Sequence, residues 1–267
     1  MKIGFIGTGN MGTAMIKGSI SSKFIDSKNI NIFDLNMIKC EELSRQYGVK
    51  TLKNEKDIVK NSDIIVLAIK PNIYSHVLSL IEKEISNEKI ILTIAAGFSI
   101  QQVQEIIGKN KKVVRTMPNT PAQILEGMTA VSFSDKVEEE DKKVIFNLLE
   151  SFGKVEEIDE KLMHVFTAIS GSLPAYVYTF IEALADGGVL EGMPRDKAYT
   201  IISQAIQGSA KMILETGKHP GVLKDEVTSP GGTTIEALKI LENGNFRGTI
   251  INAISGCTEK SKKLSKK

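Results

Sequence analysis

Hydrophobic residues fall in two different rhythms along the chain. Up to about residue 158 they gather in short, β-branched runs at residues 2–6, 30–33, 64–69, 90–94, 112–115 and 128–132. Most of these runs are apolar at successive positions, which is how strands read when helices cover both faces of their sheet. Between them the spacing changes to three and four residues. Met11, Ala14, Met15 and Gly18 mark a helix over 11–20, and Ile73, Val77, Leu80 and Ile81 mark one over 73–85. Strand and helix in alternation, joined by right-handed crossovers, predict an open, mostly parallel sheet.

The rhythm changes near 154–158, and beyond it no strand pattern is found. Residues 174–190 carry Val177, Phe180, Ile181, Leu184 and Ala185 on one helical face, with Pro174 in the first turn and Ser172 as a candidate cap. A helix over 195–216 stops at Gly217, and two more come at about 235–243 and 246–262. Tyr176 and Ala183 fall off the main stripe, so this half carries apolar surface on several sides. Such surface packs on the first half or on a second subunit, and an obligate oligomer is expected. The division is an α/β domain over 1–158 and an all-α domain over 159–267.

Composition narrows the class. Across 267 residues, 34 Lys+Arg stand against 32 Asp+Glu, leaving a net charge of +2, so the basic excess usual in nucleic-acid binders is missing. No apolar run approaches the length of a membrane span, and residues 1–7 are too short for a signal-peptide core. Cys40 and Cys257 lie far apart and outside any Cys-x-x-Cys or Cys/His cluster, so neither a disulfide framework nor a metal site is expected. A reduced, cytoplasmic setting is the simplest expectation. Five lysines between 260 and 267 read as a solvated tail.

The first chemical feature is Gly7-Thr8-Gly9-Asn10-Met11-Gly12, set between the first strand and the first helix. In a dinucleotide fold the first glycine makes the tight turn and the second admits a pyrophosphate to the backbone. The third lets helix and strand pack closely, while the helix N-terminus offers unpaired N–H groups. Asp34 stands 22 positions after Gly12 at the end of the second strand, where an acidic side chain can take the ribose hydroxyls and repel a 2′-phosphate. That favours NADH over NADPH; Asn36 and Lys39 are the nearest groups able to accommodate a phosphate, and a turn role for Asp34 is the alternative. The nicotinamide should lie over the carboxyl ends of the central strands, beside the loops Ala68-Ile69-Lys70-Pro71, Ala95-Ala96-Gly97 and Met117-Pro118-Asn119-Thr120-Pro121. Lys70 is either a solvated lysine or a partner for an anionic substrate.

The second feature is Ser229-Pro230-Gly231-Gly232-Thr233-Thr234, leading into a helix. Freed backbone amides and three hydroxyls at a helix start make either a carboxylate site or a capping turn with Thr233 or Thr234 as N-cap. His76, His164 and His219 are isolated, with no acidic partner at motif spacing. A carboxylate clamp, a hydride donor and no evident histidine acid point toward a substrate already activated as a protonated imine.

These residues carry a resemblance. The chain resembles the pyrroline-5-carboxylate reductase family along nearly its whole length, through the glycine turn, Ala68-Ile69-Lys70-Pro71 and Arg115-Thr116-Met117-Pro118-Asn119-Thr120-Pro121. It continues through Ser170-Gly171-Ser172-Leu173-Pro174-Ala175-Tyr176, Glu182-Ala183-Leu184-Ala185-Asp186, Gly192-Met193-Pro194, and His219-Pro220-Gly221 onward to Ile235. Leu173 departs from the small residue common in that family, and 34–36 is a variable segment.

The resemblance implies an N-terminal Rossmann domain and a helical domain that interlocks in a homodimer, assembled in some members into decamers, with each active site shared between subunits. It implies that Ser229, Gly231, Gly232 and Thr233 bind the substrate carboxylate and that Thr234 places its hydroxyl at the ring nitrogen. Gly7, Gly9, Asn10, Met11 and Gly12 would line the pyrophosphate. Ala68, Lys70 and Pro71, with Ala95 nearby, would pack around the nicotinamide, and Asn119 would order the floor of the site. The implied reaction is reduction of L-1-pyrroline-5-carboxylate to L-proline by NADH or NADPH. One rival is a related imine or β-hydroxyacid oxidoreductase, which predicts an acid–base lysine in the helical half, but none of Lys197, Lys211 and Lys224 stands in that pattern; another is a catalytically silent dinucleotide sensor, which would lack the carboxylate turn.

Overall fold

The computed structural model describes residues 1–95 and 97–265. Its elements run β1 (Ile3–Ile6), α1 (Asn10–Ser21), β2 (Ile30–Phe33), α2 (Met37–Tyr47), β3 (Lys50–Thr51), α3 (Glu55–Lys60), β4 (Ile64–Leu67), α4 (Tyr74–Ile81), β5 (Ile90–Thr93) and α5 (Ile100–Ile107). Next come β6 (Lys112–Met117), β7 (Gly127–Phe133), α6 (Glu139–Glu150), β8 (Gly153–Glu157) and α7 (Met163–Phe166). The last elements are α8 (Leu173–Leu190), α9 (Arg195–Thr216), α10 (Pro220–Glu226), α11 (Thr233–Asn243) and α12 (Phe246–Ser265). The chain divides into two compact units, Met1–Ser172 together with the stretch from Cys257 onward, and Leu173–Gly256.

In the first unit eight strands form one sheet in the order β3-β2-β1-β4-β5-β6-β7-β8. The central strands are buried at every position because each face is covered. Ile64 and Val66 belong to a core with Met15, Ile16, Leu148 and Phe152, whereas Ile65 and Leu67 belong to one with Ile58, Tyr74, Leu78 and Val103. Successive residues of a strand point to opposite faces, so a continuous apolar run is what two covered faces demand.

Two strands escape the hydrophobic pattern. β3 has two residues, and β8 reads Gly-Lys-Val-Glu-Glu with no position fully buried. Both are sheet edges, half exposed, where a continuous apolar run is not required. One pair also departs from the parallel expectation: β7 runs antiparallel to β6, with Met117 opposite Ala130. Only residues 118–126 separate them, fewer than the dozen or so a parallel crossover needs.

The helix expected over 73–85 is α4, flanked by single 3-10 turns at Pro71–Ile73 and Glu82–Glu84. Its buried face is Tyr74, Val77, Leu78 and Ile81, while Ile73 and Leu80 stay exposed. Ser172, the candidate cap, directly precedes α8. It lies in helical conformation after a π-turn over Thr167–Gly171, and its N–H donates to Thr167 O at 2.8 Å. The tail expected from 260 is helical through Ser265, with Ser261 buried against His164; Lys266 and Lys267 lie outside the described residues.

The second unit has the opposite character. Only Ala185 is buried in α8 and only Ala198 in α9, and none is in α11. Leu190 and Leu214 are 84% and 85% exposed, and Phe180, Ile251 and Ile240 are open as well. Each such side chain gains about 1.5–3 kcal/mol when covered, so these helices are stabilised by what packs on them. The melting temperature is therefore expected to rise with protein concentration in calorimetry, because association stabilises the folded chain. A concentration-independent melt would contradict an obligate oligomer.

Candidate active site

The glycine turn begins where β1 ends. Gly7 has φ +98°, a conformation that favours glycine, and its N–H donates to Phe33 O at 2.8 Å. A Cβ on Gly7 would stand 2.4 Å from Ala68 O, so the backbones at the ends of β1 and β4 meet directly. A Cβ on Gly12 would stand 2.6 Å from Gly7 O and 3.1 Å from the Ala68 methyl, so the third glycine is required for packing. Gly9 differs from both. Its φ of −60° suits any residue, and nothing lies within 4 Å of a Cβ built on it. The space above Gly9 is open. It starts α1 with no side-chain cap and no acidic residue in the first turn, leaving the amides of Asn10, Met11 and Gly12 for an outside anion. A pyrophosphate fits these features; the Met11 side chain packs against the core, so only its backbone faces the opening.

Asp34 ends β2, and its oxygens are engaged from within the protein. Oδ2 accepts from Thr8 N at 2.7 Å and from Thr8 Oγ1 at 3.1 Å, and Oδ1 accepts from Asn36 N at 2.9 Å. Partial burial alone would raise this carboxyl, but the donors from Asn36 and Thr8 outweigh it and hold the group below its ordinary value. Asp34 is thus charged and braces the residue between Gly7 and Gly9, with lone-pair capacity left on Oδ1. Thr8 is fully buried and its carbonyl accepts from Thr13 Oγ1 at 2.9 Å, which secures the turn from the other side. Asn36 caps α2, its Oδ1 accepting from Lys39 N at 3.2 Å.

A cavity of about 370 Å³ opens beside this turn, bordered by Gly7, Gly9, Asp34, Ala68, Ile69 and Lys70. Leu35, Glu55, Ile73 and His76 also line it, and no sequence motif places any of these four at the site. Glu55 comes from the start of α3, and no local signal marks its arrival there. A smaller hollow of about 240 Å³ gathers Asn10, Thr13, Lys17 and Lys39.

The strand-end loops behave differently from one another. Lys70 and Pro71 are exposed, and Pro71 starts the 3-10 turn that leads into α4. Ala95 is 5% exposed beyond β5, and Ala96 lies outside the described residues. Asn119 is committed inside the protein: Oδ1 accepts from Met128 N at 2.9 Å, and Nδ2 donates to Ser170 Oγ at 3.3 Å. It fixes the turn between β6 and β7 rather than reaching outward.

In the second unit, Gly232 N donates to Ser229 O at 3.1 Å, closing a four-residue turn with Pro230 and then Gly231 at φ +69°. Proline followed by a left-handed glycine is the type II pattern. The capping alternative does not occur. Gly232 is the N-cap of α11 and carries no side-chain cap bond, while Thr233 and Thr234 are its first two helical residues. The amides at this start are available to a carboxylate, with two hydroxyls beside them.

Elsewhere the ionisable groups have local duties. His219 caps α10, its Nδ1 accepting from Gly221 N at 3.0 Å, instead of standing in an open turn. His164 is held 3.0 Å from Ser261 Oγ, and burial, with Arg115 nearby, lowers its pKa below the ordinary value. Lys211 pairs with Glu215 at 3.4 Å and Lys224 with the adjacent Asp225, ordinary surface pairings, and Lys197 is exposed on α9.

Fold and site together define a nicotinamide-dependent oxidoreductase with a helical dimerisation half. Residues 2–97 match the family described as NADP oxidoreductase, coenzyme F420-dependent, and residues 160–264 match pyrroline-5-carboxylate reductase dimerisation. The chain is similar to the pyrroline-5-carboxylate reductase of Escherichia coli (strain K12), 45% identical over 99% of this chain and 98% of that one. The enzyme of Methanosarcina acetivorans is 40% identical over 100% and 98%. A solved structure of the Plasmodium falciparum enzyme with NADP bound superposes with a TM-score of 0.91 at 35% identity, covering 99% of this chain and 98% of that one. The chain belongs to the pyrroline-5-carboxylate reductase family.

The geometry of the turn separates two glycines experimentally. Gly9→Ala is expected to keep the wild-type melting temperature and lose about tenfold or more in NADH affinity, since the new methyl occupies only the open space. Gly12→Ala is expected to destabilise the fold by about 1–3 kcal/mol, because its methyl meets Gly7 O. Thermal melts and fluorescence titration of both variants check this, and equal behaviour of the two would contradict the assignment.

Proposed function

We propose that this chain reduces L-1-pyrroline-5-carboxylate to L-proline as the final step of proline biosynthesis, working as a cytoplasmic homodimer. The observation that carries the reading is a pair of helix starts, one in each unit, that begin on glycine with no side-chain cap. Gly9 opens α1 and Gly232 opens α11. One suits a pyrophosphate, the other a carboxylate. Residues 1–158 hold the dinucleotide and residues 159–267 supply dimerisation and substrate binding.

The work is divided among named residues. Gly7, Gly9, Asn10, Met11 and Gly12 hold the pyrophosphate, and Ala68, Lys70, Pro71 and Ala95 wall the nicotinamide. Asn119 keeps the neighbouring turn in place. Ser229, Gly231, Gly232 and Thr233 hold the substrate carboxylate through backbone N–H groups, and Thr234 sets its hydroxyl at the ring nitrogen. When bound, the reduced nicotinamide supplies the hydride that adds to the imine carbon. The protonated imine is the competent electrophile, so nitrogen already carries its proton and the protein's part is mainly orientation, an effect that reaches about 7–11 kcal/mol in well-aligned pairs.

For the cofactor, NADH is the proposed preference. Asp34 retains acceptor capacity on Oδ1 for a ribose hydroxyl, and its charge opposes a 2′-phosphate. Lys39, with Lys17 in the adjoining hollow, is the group that would moderate this repulsion.

Loss of reduced-nicotinamide absorbance on adding pyrroline-5-carboxylate, with NADH and NADPH in parallel, tests the reaction. Turnover with either is expected, and a folded, cofactor-binding protein with no turnover would overturn the substrate. Thr234→Val should fold normally and lose turnover by about tenfold, the worth of one hydrogen bond to a charged group. A wild-type rate removes Thr234 from the mechanism. Asp34→Ser should lower efficiency with both cofactors, since Thr8 loses its brace, while moving their ratio toward NADPH; an unchanged ratio would show that Asp34 does not read the ribose.

A further inference from the structure

Tyr74 is the largest fully buried side chain among the described residues, and no step above uses it. It belongs to the first turn of α4, and its ring stacks on Phe98 with centroids 5.0 Å apart. The hydroxyl lies between the ends of two neighbouring strands. It donates to Leu67 O at 2.5 Å and accepts from Ile94 N at 3.3 Å. The parallel pairing of β4 with β5 has Leu67 opposite Thr93 as its last partners, so the phenol oxygen sits one step beyond the end of the ladder. A direct bond from Ile94 N to Leu67 O would draw the two strands together at that point. With the oxygen inserted, both backbone groups are satisfied and the strands stay parted.

The loops that leave these two strands give the spacing a consequence. Ala68, Ile69, Lys70 and Pro71 leave β4 directly after Leu67, and Ala95 comes directly after Ile94. In an open parallel sheet a bound ligand occupies the crevice outside the carboxyl ends of the strands. Burial holds the phenol pKa above its ordinary value, so the group remains a donor to Leu67 O across the working pH range.

We propose that Tyr74 is a positioning residue whose hydroxyl sets the width of the crevice between the β4 and β5 loops, and through it the seat of the nicotinamide ring. The proposal rests on the reading of Lys70, Pro71 and Ala95 as the nicotinamide walls. The phenol does not touch the cofactor. Removing its oxygen leaves Leu67 O and Ile94 N either unpaired or bonded to each other, and in both cases the loops shift. The glycine turn, which holds the pyrophosphate, keeps its own bonds to Phe33, Asp34 and Thr13.

The test compares two probes on Tyr74→Phe, which retains the ring and its stacking: NADH, and ADP-ribose, which lacks the nicotinamide. Calorimetric titration is expected to show ADP-ribose binding within about twofold of wild type and NADH weakened by about tenfold, the size of one lost buried hydrogen bond. Equal loss for both probes, or no loss for either, would overturn the proposal, the first showing general destabilisation and the second an idle hydroxyl. If Tyr74→Phe does not fold, Phe98→Leu, which loosens the ring but keeps the oxygen, is carried through the same titrations. A loss confined to NADH supports the role and an equal loss overturns it. No imine substrate is needed, so the outcome stands apart from that of the reductase assay.

Discussion

Backbone meets backbone where β1 and β4 end, and much of the first unit depends on that approach. Strand order reverses there: β1 has β2 on one side and β4 on the other, so the connections on its two sides leave in opposite directions. A crevice at such a reversal is where a parallel sheet offers its strand ends to a ligand. Gly7 keeps it narrow at the base, since any Cβ would collide with Ala68 O. Gly12 brings α1 down onto the same point, aiming the helix start into the crevice. Asp34 then ties β2 to the turn through Thr8. These contacts place the free amides of α1 at the crevice, and the opening over Gly9 leaves room for an anion beside them.

The second unit solves a different problem. Its helices leave leucine, isoleucine and phenylalanine uncovered, which an isolated chain does not sustain, and its family match is to a dimerisation domain. Folding energy and association are therefore coupled in this half, whereas the sheet carries its own cores on both faces. The turn from Ser229 to Gly232 is set by local chemistry alone. Proline followed by glycine fixes its shape, and α11 begins at once with no side chain occupying its amides.

The legible parts of the chain are those whose chemistry is local. Gly7, Gly9 and Gly12 do separate jobs at fixed offsets, and continuous apolar runs reveal the strands that are covered on both faces. β3 and β8 are not legible because edge strands need no such run, and the reversed direction of β7 comes from a short connection that carries no hydrophobic signal. The buried stripe of α4 falls partly outside the one its spacing predicts. Ile73 and Leu80 match the period as well as Tyr74 and Leu78 do, and only the packed sheet distinguishes them. Asp34 is visible in the sequence as an acid at the right distance, but its bond to Thr8 is not, since it joins residues 26 apart. Tyr74 is the extreme case: its partners Leu67 and Ile94 belong to two strands that meet only in the sheet.

Direct hydride delivery to an imine carbon requires the reduced nicotinamide to sit in one fixed orientation at the glycine crevice, between the strand-end loops. Mass spectrometry of the proline formed from pyrroline-5-carboxylate with NADH stereospecifically deuterated at C4 reads that orientation. One deuterium is expected, at the ring carbon bonded to nitrogen on the side away from the carboxylate, from one of the two C4 epimers only. Deuterium lost to solvent, or delivered from both epimers alike, would contradict a single fixed seat for the ring.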